Sequence, residues 1–257
     1  MSKILLVAGC SHSCGSEIMS IGSHREDPKN VEKCFGNKIA LRNNMQMVNI
    51  AFPGSSNGLI VDSIIKNINR LTATGILPED IIVLIGWSGL PRDYAIQNNI
   101  YWGWTLNQHN MSNWKSYATK DIRKYYNLWS RFQDHDTLCN AHVARHQLLS
   151  GYLRNKGVKY YAFNGVDGLE YPRDDNDFSD VTNFFNENKS DLTGFKEVEN
   201  DPYYRLPFDH KNSYFHSLQL QYNLDPRAGG RWFHYLENGH EIWADVLEKE
   251  MKELGLL

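Results

Sequence analysis

Four short apolar runs, each ended by a glycine or by a shift to polar residues, constrain the fold of this chain more than any other feature. They are "KILLVAG" at 3–9, "MQMVNIAF" at 45–52, "IIVLIGW" at 81–87 and "VKYYAFNG" at 158–165, all rich in β-formers and of strand length. Between them lie stretches with helical spacing. "NVEKCFGNKIALRNN" places Val31, Phe35, Ile39 and Leu41 on one face. After "PGSSN", Ser56 or Asn57 caps a helix in which Ile60, Ile64, Ile68 and Leu71 share a face. A long helical stretch runs from Asp121 to Lys156, broken near "DHD" and closed by Gly157, and a last helix starts near Asn238. Strands alternating with helices predict a parallel sheet covered on both faces. The expectation is one three-layer α/β/α domain over residues 1–257, with a mostly parallel sheet of about five strands.

Two regions break the rhythm, at about 90–120 and 166–225. The first carries Trp102, Trp104, Trp114 and several tyrosines; the second is polar, aromatic and rich in Asn and Asp. Both read as ordered lids, whose aromatic rings either stack on a sugar or pack the insertions onto the core.

Charge and cysteine content remove several classes of function. With 27 basic and 30 acidic residues the net charge is −3, which gives no electrostatic footprint for nucleic acid. The apolar runs are too short to span a bilayer, and the amino terminus lacks a secretory leader, so a cytoplasmic protein is expected. Four cysteines, Cys10, Cys14, Cys34 and Cys139, make no disulfide framework. "CSHSC" offers Cys10, His12 and Cys14 to a metal, but no second paired motif completes a tetrahedral set, and no metal or other cofactor is expected.

The segment "VAGCSHSCG" puts Ser11 just past the carboxyl end of a buried strand, where open parallel sheets form their crevices. With its neighbours it resembles the first block of the SGNH (GDSL) hydrolases, in which Gly-Asp-Ser is followed two positions later by a hydroxyl residue. Gly9, Ser11 and Ser13 match, and Cys10 stands in the Asp position. In the second block, "VNIAFPGSSN" supplies Asn49 and Gly54. The third, "IGWSGLPR", supplies Gly86, with Ser88 in the position of the oxyanion-donating Asn and Gly89 after it; a serine there is similar to the phage-associated branch. In the fourth, "RWFHYLENGHEIWADVL", His234 aligns with the catalytic base, Gly239 and His240 with the Gly-His of the terminal helix, and Arg231 with the acid.

The resemblance covers roughly 3–87 and 231–247 and implies a flavodoxin-like sheet carrying a Ser-His ester hydrolase. Ser11 is then the nucleophile and His234 the base, while the backbone N–H groups of Ser11 and Gly54 and the Ser88 hydroxyl form the oxyanion hole. Asp225, the nearest acid upstream of Arg231, is the candidate third member. Asn57 either joins the oxyanion hole or caps its helix. His240 is read as bonding backbone or water, His135, His142 and His146 as surface or packing residues, and Trp87 as filling space beside the site. His12 needs a sharp turn to act on Ser11. The implied substrate is a small-molecule or glycan ester. An acyltransferase, or a non-catalytic glycan- or protein-binding member of the same fold, is the alternative.

Overall fold

A computed structural model describes residues 3–16, 18, 27–90, 92–97, 100–105, 119–131, 135–165, 195–224 and 234–257. The first apolar run forms β1 (Ile4–Gly9), buried along its whole length. Its place in the sheet explains that burial. β1 lies between β2 (Gln46–Asn49) and β3 (Ile81–Trp87), and the order continues through β6 (Lys159–Asn164) to β7 (Tyr204–Arg205). All of these pairings are parallel.

The two-residue period of β1 divides the core into two layers. Ile4, Leu6 and Ala8 pack with Ile60, Ile64 and Ile68 of α4 (Asn57–Ala73) and with Val143, Leu149 and Leu153 of α6 (His135–Lys156). Leu5 and Val7 face the other way, toward Phe35 and Ile39 of α3 (Phe35–Arg42) and Trp243, Leu247 and Met251 of α9 (Glu237–Glu253). Full burial of each such side chain is worth roughly 1.5–3 kcal/mol, so a strand buried on both faces anchors both helix layers. The three-layer α/β/α architecture with a five-stranded parallel sheet agrees with the expectation from sequence.

The strand order also locates the crevice. From β1 the chain steps outward to β2, then returns across β1 to β3 and continues in the opposite direction. The order reverses between β1 and β3, and ligands bind open α/β sheets at the carboxyl ends of the strands beside such a reversal.

Three local expectations need correction. The helix expected around Val31–Leu41 is two helices, α2 (Pro28–Lys33) and α3, because Cys34 adopts an extended conformation between them. Asp27 caps α2 by accepting from Lys29 N–H, with Pro28 in the first turn. Leu41 is 67 % exposed and stands outside the apolar face. The region at 90–120 contains an antiparallel hairpin, β4 (Arg92–Gln97) with β5 (Ile100–Thr105). It docks on α4, where Tyr94 donates to Asp62 and packs on Gly58. The region at 166–225 is part of the core over its described portion: it supplies α7 (Phe195–Glu199), β7 and α8 (Tyr214–Tyr222), and Tyr214 and Leu218 are fully buried. A lone aromatic-rich segment becomes core when it has a sheet edge to extend and a helix layer to join.

The long helical stretch resolves into α5 (Lys120–Arg131) and α6. No helix among the described residues is long and apolar enough to cross a membrane.

Candidate active site

The chain leaves β1 at Gly9 and turns at once into α1 (Ser11–Cys14), a single helical turn closed by Gly15 in the left-handed conformation at φ 81°. That sharp turn needs space. Gly9 pairs in register with Gly86 of β3, and a Cβ on either would lie 2.3 or 2.2 Å from Ser13 Oγ. The two glycines of the first and third motifs therefore let α1 sit directly on the strand ends. Ser11, the first residue of α1, is partly exposed, whereas His12, Ser13 and Cys14 are buried.

The loop after β2 is drawn to the same place. Asn49 donates to Cys14 C=O at 3.4 Å and accepts from Ala51 N–H, while Phe52 N–H bonds to Gly9 C=O. A turn closed by Ser55 N–H to Phe52 C=O then carries Pro53 and Gly54, with Gly54 at φ 76°, a conformation that favours glycine. Ser56, not Asn57, caps α4 by accepting from Leu59 N–H.

Asn57 has a different task. Its Oδ1 accepts from Ser88 N–H at 2.8 Å and its Nδ2 donates to Ser88 C=O at 3.0 Å, a two-bond clamp on the residue that follows β3. The second Nδ2 proton points to His142 Nδ1 at 3.1 Å, which makes that nitrogen the acceptor and puts the ring proton on Nε2. Nε2 then donates to Tyr204 O–H at 2.9 Å, Tyr204 donates to Asn164 Oδ1 at 2.7 Å, and Asn164 donates to Pro207 C=O at 2.8 Å. Every proton in this buried ladder has one direction. Burial and the neighbouring His146 and Arg145 lower the His142 pKa to about 3, so the neutral ring that the ladder requires is the stable form. With both amide protons committed, Asn57 supports the site from behind and has no donor left for an oxyanion. His142 and His146 are accordingly buried polar groups rather than surface residues, and His146 bonds Asp201 at 2.9 Å. Burial opposes the charge on Asp201, but bonds from His146, Tyr160 and the Tyr203 N–H outweigh it and hold its pKa below the usual value. Trp87 is buried against the His142 ring and fills space as expected.

On the other layer, His234 is buried with its ring 4.8 Å from that of His12, the neighbour of Ser11. The sharp turn of α1 thus brings His12 itself to the His234 side. Burial, then the charges of His234, Arg92 and His240, lower the His12 pKa well below the ordinary value of 6.5 and keep its ring neutral. Its Nδ1 and the Ser13 hydroxyl are buried without a hydrogen-bond partner. His240 accepts from Phe35 N–H at Nδ1 and meets the Tyr214 hydroxyl at Nε2, each at 3.3 Å. It bonds backbone as expected, in the interior rather than at the surface; burial, then His234 and Lys38, lower its pKa to about 3.

Ser88 is 3 % exposed, and its hydroxyl accepts a 2.9 Å bond from Arg92 Nη1. Sequence reasoning missed Arg92 and the ladder. The ladder's members come from four separate elements, and only the three-dimensional fold joins them. Asp225 and Arg231 lie outside the described residues, as does Trp114, and the side chains of Trp102, Trp104 and His135 are likewise not described. All four cysteines are buried and unbridged.

No family model and no curated protein matches the chain. Among solved structures it is similar to a psychrotrophic esterase, EstA from Pseudoalteromonas sp., solved inhibited by monoethylphosphonate, with a TM-score of 0.47 and 9 % identity over 98 % of both chains. It is also similar to a carbohydrate esterase described as having divergent catalytic and non-catalytic binding functions in its active site. That match has a TM-score of 0.45 and 14 % identity, and covers 97 % of this chain and 68 % of the other.

Proposed function

We propose that the chain is a serine ester hydrolase of the SGNH (GDSL) type. The observation that carries this reading is the meeting of separated motifs at one end of the sheet: Ser11 after β1, the Gly54 turn tied to Gly9, Ser88 after β3, and His234 against the residue beside Ser11. Acyl transfer needs a nucleophile, a base and donors aimed at a developing oxyanion, and these positions offer each of them.

In this mechanism Ser11 Oγ attacks the ester carbonyl as His234 takes its proton. The oxyanion receives hydrogen bonds from Ser11 N–H, Gly54 N–H and the Ser88 hydroxyl. Collapse of the tetrahedral intermediate returns the proton from His234 to the leaving alcohol and leaves an acyl group on Ser11. Water, deprotonated by His234, then attacks the acyl carbon, and His234 returns the proton to Ser11 Oγ as the acid leaves. Asp225 is proposed to orient His234, since a carboxylate there stabilises the imidazolium that forms. A small-molecule or glycan ester suits the aromatic content of the two long connecting regions, and the serine at position 88 suits the phage-associated branch.

Hydrolysis of p-nitrophenyl acetate by the full chain tests the reading. Turnover that falls to the uncatalysed rate in Ser11→Ala is the expected result; turnover with an added alcohol but not with water assigns a transferase. Cys10 and Ser88, which replace the usual Asp and Asn, favour the binding-protein alternative, and no ester turnover at all decides for it, whereas turnover unaffected by Ser11→Ala moves the nucleophile to another residue.

A further inference from the structure

Ser88 presents an unusual arrangement of donors and acceptors. Its backbone N–H is taken by Asn57 and its carbonyl accepts from the same side chain, so the hydroxyl is the one donor Ser88 has left for a ligand. The hydroxyl oxygen accepts from Arg92 Nη1 at 2.9 Å. Arginine has five donors and no acceptor, so this bond can run in one direction only. The Ser88 proton therefore remains available for another acceptor, and a lone pair that would otherwise compete for donors is filled.

Arg92 is placed for this by the fold. It opens β4, and β4 is held against α4 through Tyr94, so the guanidinium returns to the end of β3 from the hairpin side. Among the described residues Arg92 has no carboxylate partner, and its charge is left to act on what lies near Ser88. The same charge reaches His12 on α1, where it ranks after burial and His234 among the causes that keep that ring neutral. A cationic donor bonded to a hydroxyl oxygen draws electron density from it and strengthens the O–H as a donor.

We propose that Arg92 is a positioning residue for ester hydrolysis: it holds Ser88 Oγ as an acceptor, leaves the hydroxyl proton for the oxyanion, and gives the Ser88–Arg92 pair the donor strength that an asparagine amide has in the SGNH pattern. The inference rests on the hydrolase reading above and extends it to Arg92, the last residue of the third motif, to which the resemblance assigns no role.

A double-mutant cycle on p-nitrophenyl acetate tests it, with each variant's thermal melting measured alongside. Arg92→Ala is expected to lower kcat about ten- to a hundredfold with KM changed less than about twofold, the signature of an interaction made in the transition state. In a Ser88→Ala background the same substitution is expected to change kcat less than about twofold, since its intermediary is gone. Arg92→Lys, which keeps a cationic donor, restores part of the rate. Equal losses in both backgrounds overturn the proposal, because Arg92 then acts on the substrate directly. So does an unchanged kcat in Arg92→Ala while Ser11→Ala is inactive. A wild-type chain without Ser11-dependent turnover overturns the hydrolase reading itself and this inference with it.

Discussion

Two buried histidines, His142 behind Ser88 and His12 beside Ser11, differ in what the fold has done with their nitrogens. His142 is saturated: Nδ1 accepts from Asn57, Nε2 donates to Tyr204, and the chain of bonds ends on the Pro207 carbonyl. His12 meets chiefly rings, those of His234, Tyr214 and Phe215, and its Nδ1 has no hydrogen-bond partner. A buried polar atom left unpaired costs about 1–3 kcal/mol, so natural structures retain few of them. The first histidine belongs to a scaffold that fixes one strand end. The second lies among aromatic rings beside Ser11, with one ring nitrogen left unpaired. His240 follows His142 in being saturated, whereas Trp87 Nε1 and His146 Nδ1 are exceptions near the ladder.

The largest expected effect separates His234 from His240. If His234 is the base, His234→Ala lowers kcat by about a thousandfold or more. His240→Ala instead leaves the Phe35 N–H without its partner and costs about 1–3 kcal/mol of stability, with kcat per folded molecule nearly kept. Comparable kcat losses in both would break the distinction between scaffold and site.

Next comes Asn57. Asn57→Ala strips partners from both backbone groups of Ser88 and from His142, and a loss of about 2–4 kcal/mol in chemical denaturation is expected, together with reduced turnover from a displaced Ser88. Full stability would show that water replaces the clamp.

Matched substitutions separate the two histidines. His142→Phe is expected to cost about 2–3 kcal/mol, because the Asn57 amide loses an acceptor and Tyr204 a donor. His12→Phe, which removes no hydrogen bond at Nδ1, should stay within about 1 kcal/mol of wild type. Equal costs would contradict the division.

The same two saturated histidines also respond to pH. His142 and His240 have native pKa values of about 3 against an ordinary 6.5, so the unfolded chain takes up protons that the native chain refuses. Their neutral burial is without penalty above pH 6.5 and weakens the fold as pH falls from 6.5 toward 3. At pH 5 each removes about 2 kcal/mol, and His142→Gln should lose correspondingly less stability than wild type between pH 7 and pH 5. A loss of the same size in both would mean that His142 is protonated in the native state.

The same contrast governs what could be read from sequence. Local periodicity announced β1, β3, β6 and α4, whose apolar residues fill the two layers. Gly9, Ser13 and Gly86 were legible as motif residues, and their contact explains why they occur together. β7 was not, since a two-residue strand carries no period and depends on pairing with β6. The hairpin has a short local signal, since two asparagines in the sequence separate the paired Gln97 and Ile100. α8 was hidden by polar composition around Tyr214 and Leu218. The Asn57 ladder and the Arg92 bond unite residues far apart in the chain or on different elements, and side-chain chemistry alone does not say which distant groups will meet.

Ser11 is proposed to be a nucleophile activated from the His234 side. The most direct measurement is mass spectrometry of the full chain after treatment with a fluorophosphonate, comparing wild type with Ser11→Ala and His234→Ala. One adduct is expected, on the peptide containing Ser11, absent in Ser11→Ala and formed far more slowly in His234→Ala. No adduct on Ser11, or labelling at the wild-type rate without His234, would contradict it.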